Sequence, residues 1–218
     1  MDLTDNVFTR NLELESCKAS LTFVQKEIGD VSCVVWDAAI ALAKYLDFSN
    51  SETKWLSGKK VLELGAGLGC AGLTAACLGA NVILSDLEGT LPLLQQNIQI
   101  NETQWKNFGG SAKAVVLEWG KPCDLEFHPE IVLATDCVYY EESIKPFLDT
   151  LETYCNKGAS VILSQEERDT PVQILVWETF LTELKSKFQI SYIPQSEQHP
   201  VYSCSDIHLM RISKRPDS

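Results

Sequence analysis

Glu63, Gly65, Gly67 and Gly69 form E-x-G-x-G-x-G around the end of the apolar run Val61-Leu62-Glu63-Leu64. Glycines at this spacing let the chain turn tightly and let a ligand approach the main chain. The helix-forming stretch behind them, Cys70–Leu78, offers the free N–H groups of its first turn. A second apolar run, Asn81–Ser85, ends in Asp86, about 20 residues after Gly65. In nucleotide-binding α/β folds a strand-end acid at that distance accepts hydrogen bonds from ribose hydroxyls. The glycine pattern also discriminates between cofactors. A dinucleotide fingerprint requires G-x-G-x-x-G, and here the third glycine arrives one residue early, with Cys70 in its slot. Glu63 would set a carboxylate near a pyrophosphate. A cofactor with no phosphate and a cationic amino-acid end suits that acid better.

Two further strand ends carry chemistry. One is Glu118-Trp119-Gly120, and the other is Thr135-Asp136-Cys137-Val138-Tyr139-Tyr140. Trp119 offers an apolar face for a purine. Asp136 can hold and orient an amine. Tyr139 and Tyr140 supply aromatic faces that tolerate methylated ammonium groups. Taken singly, each piece has a plain structural reading: a glycine-rich turn that binds nothing, a core tryptophan, and an aspartate capping the helix that begins near Glu141. Their repetition at successive strand ends is what points to a pocket.

The elements that must position them alternate along the chain. Residues 7–28 read as a small antiparallel hairpin, inside an N-terminal β extension of about residues 1–32. Asp37 is placed to cap a helix over Ala38–Leu46, followed by a polar loop over Asn50–Ser57. Strands are expected at Lys60–Leu64, Asn81–Ser85, Ala112–Leu117, Ile131–Ala134 and Ser160–Leu163. Helices are expected at Cys70–Leu78, Leu91–Ile100, Glu141–Tyr154 and Val172–Leu184. The rhythm predicts a mainly parallel sheet with helices on both faces. Gln189–Ile193 and Ile207–Ile212 have no clear helix between them, so an antiparallel edge hairpin closes the sheet.

With 218 residues, 45% of them hydrophobic, the chain suits one α/β domain over 1–218. A net charge of −12 opposes a nucleic-acid footprint. Eight scattered cysteines and three histidines form no metal-ligand pattern, so no metal is expected. Cys33, Cys70, Cys77 and Cys137 sit in apolar runs and read as buried reduced thiols, which implies a cytoplasmic protein. The acidic start, Met1-Asp2-Leu3-Thr4-Asp5, has no leader character, and no apolar run is long enough to span a membrane.

Val34-Val35-Trp36-Asp37-Ala38-Ala39, the glycine motif, Ser85-Asp86-Leu87-Glu88, Glu118-Trp119-Gly120 and Asp136-Cys137-Val138-Tyr139 together resemble the seven-strand protein-lysine methyltransferases with a D-x-x-Y motif after the fourth strand. The resemblance covers nearly the whole chain from about residue 20. It implies a Rossmann-like fold and S-adenosyl-L-methionine as cofactor, leaving S-adenosyl-L-homocysteine. It implies cofactor contacts from the backbone of Gly65, Ala66 and Gly67, with Trp36, Asp86, Trp119 and Thr135. Leu87, next to Asp86, is expected to join them, and Glu63 can meet the methionine ammonium by its charge. It also implies that Asp136 and Tyr139 belong to the catalytic motif. Thr135 stands where the family usually has a smaller alanine. Asp136–Ser143 and Ser205-Asp206-Ile207-His208 most resemble the branch acting on the valosin-containing AAA-type ATPase, so a monomeric enzyme with that protein substrate is expected. The same residues leave two other readings: a methyltransferase for another protein or a small molecule, and a non-catalytic adaptor of a chaperone-like ATPase.

Overall fold

The computed structural model describes residues 7–215. The acidic start, residues 1–5, lies outside them. The strands are β1 (Val7–Leu14), β2 (Ala19–Lys26), β3 (Lys60–Leu64), β4 (Asn81–Asp86), β5 (Ser111–Val116), β6 (Ile131–Thr135), β7 (Ser160–Glu166), β8 (Phe188–Tyr192) and β9 (Ile207–Lys214). The helices are α1 (Asp37–Thr53), α2 (Cys70–Cys77), α3 (Leu91–Ile100), α4 (Glu102–Asn107), α5 (Glu141–Cys155) and α6 (Pro171–Lys187).

Seven strands form one sheet in the order β5-β4-β3-β6-β7-β9-β8, and β1 with β2 form a separate antiparallel pair. All pairings from β5 to β7 are parallel. The closing antiparallel hairpin forms as expected, with an order that the sequence leaves open. β9, last in sequence, inserts between β7 and β8 and runs antiparallel to both. Alternation assigns the two faces. Val61, Ile131 and Leu133 enter the core shared with α1, α2 and the β1–β2 pair. Leu62, Leu64, Val132 and Ala134 enter the core beneath α5 and α6. Both faces are covered, which is the condition under which parallel strands carry near-continuous apolar runs.

Four expectations need correction. The first helix does not stop at Leu46, and Asp37 does not cap it. The cap position is Trp36, without a side-chain cap bond, and the helix runs on to Thr53. Its polar end is held because buried Asn50 accepts the Leu56 N–H through Oδ1, while Lys54 terminates the helix in the left-handed region. The fifth parallel strand extends three residues past Leu163, since Ser164 and Gln165 are buried with their side chains bonded inside the protein. Val172, expected on the apolar face of α6, is 69% exposed, and Val176, Trp177, Phe180 and Leu184 are its buried residues. Cys33 is only partly buried, whereas Cys70, Cys77 and Cys137 are buried as expected.

The β1–β2 pair is fastened by side chains. Asn97 Oδ1 accepts the Val24 N–H at 2.7 Å, and its Nδ2 donates to the Val24 carbonyl at 3.1 Å. One helical turn later Asn101 does the same for Thr22, at 2.8 Å in both directions. Two residues along a strand and four along a helix cover similar distances, so the two amides serve the free edge of β2 as another strand would. Asn97→Ala leaves a buried N–H and carbonyl of Val24 unpartnered, and we expect a loss of about 2–4 kcal/mol in urea unfolding. Exposed Asn107→Ala should stay within about 0.5 kcal/mol.

Candidate functional site

Strand register brings the sequence-selected residues to one edge of the sheet. Leu64 pairs with Ser85 and with Ala134, Asp86 pairs with Val116, and Thr135 pairs with Ser164. The next residue after each pairing therefore puts Gly65, Asp86, Val116, Thr135 and Ser164 in one row at the carboxyl ends. That end of an open parallel sheet is where ligands bind.

The glycine loop is built tightly. Gly65, Gly67 and Gly69 all have positive φ, at 58°, 53° and 83°. Ala66 N–H bonds to the Ser85 carbonyl at 2.9 Å and Gly69 N–H to the Ala66 carbonyl at 2.7 Å. A side chain at Gly65 would press on Trp119 and on Cys137 Sγ, both 3.0 Å from its Cβ. A Cβ at Gly67 meets only the Ser32 backbone, with its carbonyl at 3.6 Å. Gly67 thus faces space that the protein does not fill.

Asp86 closes the loop. Its Oδ2 accepts the Gly67 N–H and its Oδ1 the Leu87 N–H, both at 2.7 Å. The Thr90 side chain also hydrogen-bonds to this carboxylate. An ionised carboxylate has about four acceptor positions, so some capacity is left for a ribose hydroxyl. Burial pushes its pKa up, and those two N–H bonds oppose the rise. Glu63 behaves otherwise. It was expected to meet the cofactor's ammonium, yet it has no exposed surface and lies beneath the loop. Its Oε2 accepts the Gly72 N–H at 2.9 Å, bracing the first turn of α2. Among the described residues Oε1 is the buried side-chain atom left without a partner. Burial, with the Asp86 charge adding to it, pushes the Glu63 pKa up to about 8.

Trp119 stands edge-on to Phe147, with ring centroids 5.0 Å apart. Trp36 is 40% exposed and Leu87 57% exposed, so both can meet a ligand. Trp36 Nε1 donates to the Val31 carbonyl at 2.8 Å. Tyr139 is half-buried, packs edge-on against exposed Tyr140 at 4.6 Å, and has its pKa pushed to about 12 by burial first and then by the Asp30 charge and other nearby groups. It keeps its phenolic proton at neutral pH. A groove of about 530 Å³ beside β8, lined by Phe188, Ile190, Tyr192 and Arg215 among others, contains none of these residues.

Asp136 is 7% exposed and holds a left-handed φ of 50°. It does not cap α5, whose cap position is Tyr140. Its Oδ1 accepts the Glu166 N–H at 3.0 Å and Gln165 Nε2 at 3.1 Å, and its Oδ2 accepts Arg168 at 3.0 Å. Burial raises its pKa most; the Glu166 N–H and Arg168 lower it. Sequence reasoning missed Gln165, Glu166 and Arg168. The signal was the run Gln165-Glu166-Glu167-Arg168 at a fifth strand end, hidden because the strand was ended at Leu163.

The row fits a nucleoside cofactor with an aminoacyl tail: Asp86 keeps acceptor capacity beyond its own hydrogen bonds, Gly67 faces unfilled space, and Trp119 lies against Gly65. It also sets a pH dependence. Neutral Glu63 contributes stability that is full below the ordinary carboxyl value of 4.5 and is lost as pH rises to about 8. Glu63→Gln keeps the neutral shape, so its stability relative to the parent should rise between pH 5 and pH 8.5 in urea titrations. A constant difference across that range contradicts the assignment.

A sequence model of a family described as lysine methyltransferase matches residues 15–187. Protein N-lysine methyltransferase METTL21A of Danio rerio is 38% identical over 199 residues, covering 87% of this chain and 80% of that protein. EEF1A lysine methyltransferase 3 of Mus musculus is 36% identical over 141 residues, covering 63% of this chain and 57% of that protein. Among solved structures, the T. thermophilus 16S rRNA methyltransferase RsmC, in complex with AdoMet and guanosine, superposes with a TM-score of 0.64 at 19% identity, over 99% of this chain. The chain spans about half the length of that protein, at 52%. Magnesium protoporphyrin IX methyltransferase of Synechocystis, with bound SAM, gives a TM-score of 0.55 at 17% identity, covering 82% of this chain and 80% of that one. The shared fold is that of Rossmann-like methyltransferases, and the chain belongs to the lysine methyltransferase family.

Proposed function

We propose that this enzyme methylates a lysine side chain of the valosin-containing AAA-type ATPase, using S-adenosylmethionine, in the cytoplasm. The observation that carries the reading is the single row at the strand ends, where the glycine loop, Asp86 and Thr135 stand beside Asp136. The D-x-x-Y segment Asp136–Tyr139 and Ser205-Asp206-Ile207-His208 support the ATPase as substrate. Eight free cysteines support a reducing compartment. No helix among the described residues is long and apolar enough to cross a membrane.

S-adenosylmethionine, when bound, supplies a methyl group already activated on a sulfonium. The protein's part is positioning, proton management and exclusion of water. Backbone groups of Gly65, Ala66 and Gly67 receive the aminoacyl end. Asp86 takes the ribose hydroxyls on its remaining acceptor capacity, and Trp119, Trp36, Leu87 and Thr135 line the remaining wall. A lysine must shed a proton before its nitrogen can attack. Asp136 then accepts a hydrogen bond from the neutral amine and fixes its lone pair toward the strand ends. Tyr139 and Tyr140 face the lysine and its methylated products with π surfaces.

Asp136→Asn keeps the shape and removes the charge. Single-turnover rates should fall by about 100-fold or more, with affinity for S-adenosylhomocysteine changed far less. A fully active Asp136→Asn preparation removes Asp136 from the catalytic motif. For the substrate, purified ATPase and purified elongation factor EEF1A are incubated with tritiated S-adenosylmethionine, followed by mass spectrometry. Label on a lysine of the ATPase is expected. Label on EEF1A alone, or only on RNA, DNA or metabolites of a lysate, contradicts the assignment.

A further inference from the structure

Arg168 is charged, three-quarters buried and beside Asp136, yet nothing above gives it a task. Its guanidinium donates to Asp136 Oδ2 at 3.0 Å and to Glu166 Oε2 at 3.2 Å. The same group lies 5.1 Å from the centroid of the Trp36 ring. It therefore joins three segments: the end of β6, the end of β7 and the residue preceding α1.

The hydrogen bonds around Asp136 make that contact selective. Oδ1 already takes two donors, the Glu166 N–H and Gln165 Nε2. Oδ2 has Arg168 alone, so Oδ2 is the oxygen with room for an incoming amine. The backbone at Asp136 is left-handed, which a non-glycine residue holds only when its surroundings fix it. The charged groups facing this carboxylate are Glu166 at the end of β7 and Arg168 just past it, with the titratable Cys137 thiol next to it in the chain. Glu167 is turned away, paired with His208 at 2.7 Å. Without Arg168, the two carboxylates Asp136 and Glu166 would face each other in a half-dry site, where one of them is driven to take a proton. A cation on Oδ2 also disfavours a second cation there. An arriving lysine is thereby favoured as the neutral amine rather than as ammonium.

We propose that Arg168 is the positioning residue of the transfer: it keeps Asp136 ionised, leaves one position of Oδ2 open to the amine, and locks that carboxylate to Trp36. This rests on the reading of Asp136 as the group that meets the amine. Lysine at 168 keeps the charge but loses the planar stack and fork.

The test uses the full chain labelled with carboxyl-13C aspartate, in the parent and in R168Q and R168K. The Asp136 signal is assigned by its absence in D136N, and melting temperatures establish that each variant is folded. In R168Q the Asp136 titration midpoint should rise by about one pH unit or more. R168K should stay within about half a unit of the parent. The kcat for the protein substrate should fall about tenfold or more in R168Q, with KM and S-adenosylhomocysteine affinity changed less than about threefold, and R168K should recover part of it. An unchanged midpoint in R168Q overturns the proposal even if turnover is lost, because Arg168 is then only a strut. Full turnover in D136N instead overturns the catalytic reading of Asp136, and the midpoint identifies which of the two has failed.

Discussion

The parallel pairing of β3 with β4 on one side and β6 on the other is the constraint on which the site depends. The chain leaves β3 through α2 toward β4, and it returns as β6 on the opposite flank. Connections on the two sides diverge, so a crevice opens at the carboxyl end of β3. The glycine loop fills its floor. Asp86 comes from one neighbouring strand and Thr135 with Asp136 from the other. A slip of one residue in either pairing would turn these side chains to the opposite face.

Within that crevice the protein must place four acids, Glu63, Asp86, Asp136 and Glu166, close to one another in a partly dry space. They are accommodated in three ways. Glu63 is fully enclosed, and its raised pKa makes it a neutral brace for α2. Asp86 is held by two backbone N–H groups, which oppose the upward push of burial on its pKa and also lock the loop it serves. Asp136 and Glu166 share Arg168. The differing treatments make Glu63 a structural acid and leave Asp86 and Asp136 at the strand ends, from residues of nearly the same chemistry.

Much of this was legible in the sequence because it is local. The early third glycine, the run ending in Asp86 and the strand–helix alternation all follow from short-range spacing. Asp136 stood out as a polar residue after Ile131–Ala134. What escaped reading depends on partners distant in the chain. Asn50 looks like a loop residue until Leu56 is found to need its side chain. Ser164 and Gln165 look like the end of a strand, but they are buried because Ala38, Asp136 and Val138 receive their donors. Glu63 reads as a ligand contact by its nearness to the glycines. Strand alternation turns it instead under α2, on the same face as Val61. The insertion of β9 between β7 and β8 likewise has no local signature, since both orders would leave an antiparallel hairpin.

In the proposed mechanism, the open space at Gly67 holds the aminoacyl end of the cofactor. Calorimetric titration of S-adenosylhomocysteine into the parent chain and into Gly67→Val measures it directly. The added Cβ meets only the Ser32 backbone, with the carbonyl 3.6 Å away. The variant should therefore stay folded while losing about 1–3 kcal/mol to strain at its positive φ. The account predicts that affinity falls by about 100-fold or more, close to 3 kcal/mol of binding energy. A folded Gly67→Val protein that binds S-adenosylhomocysteine as tightly as the parent would contradict it.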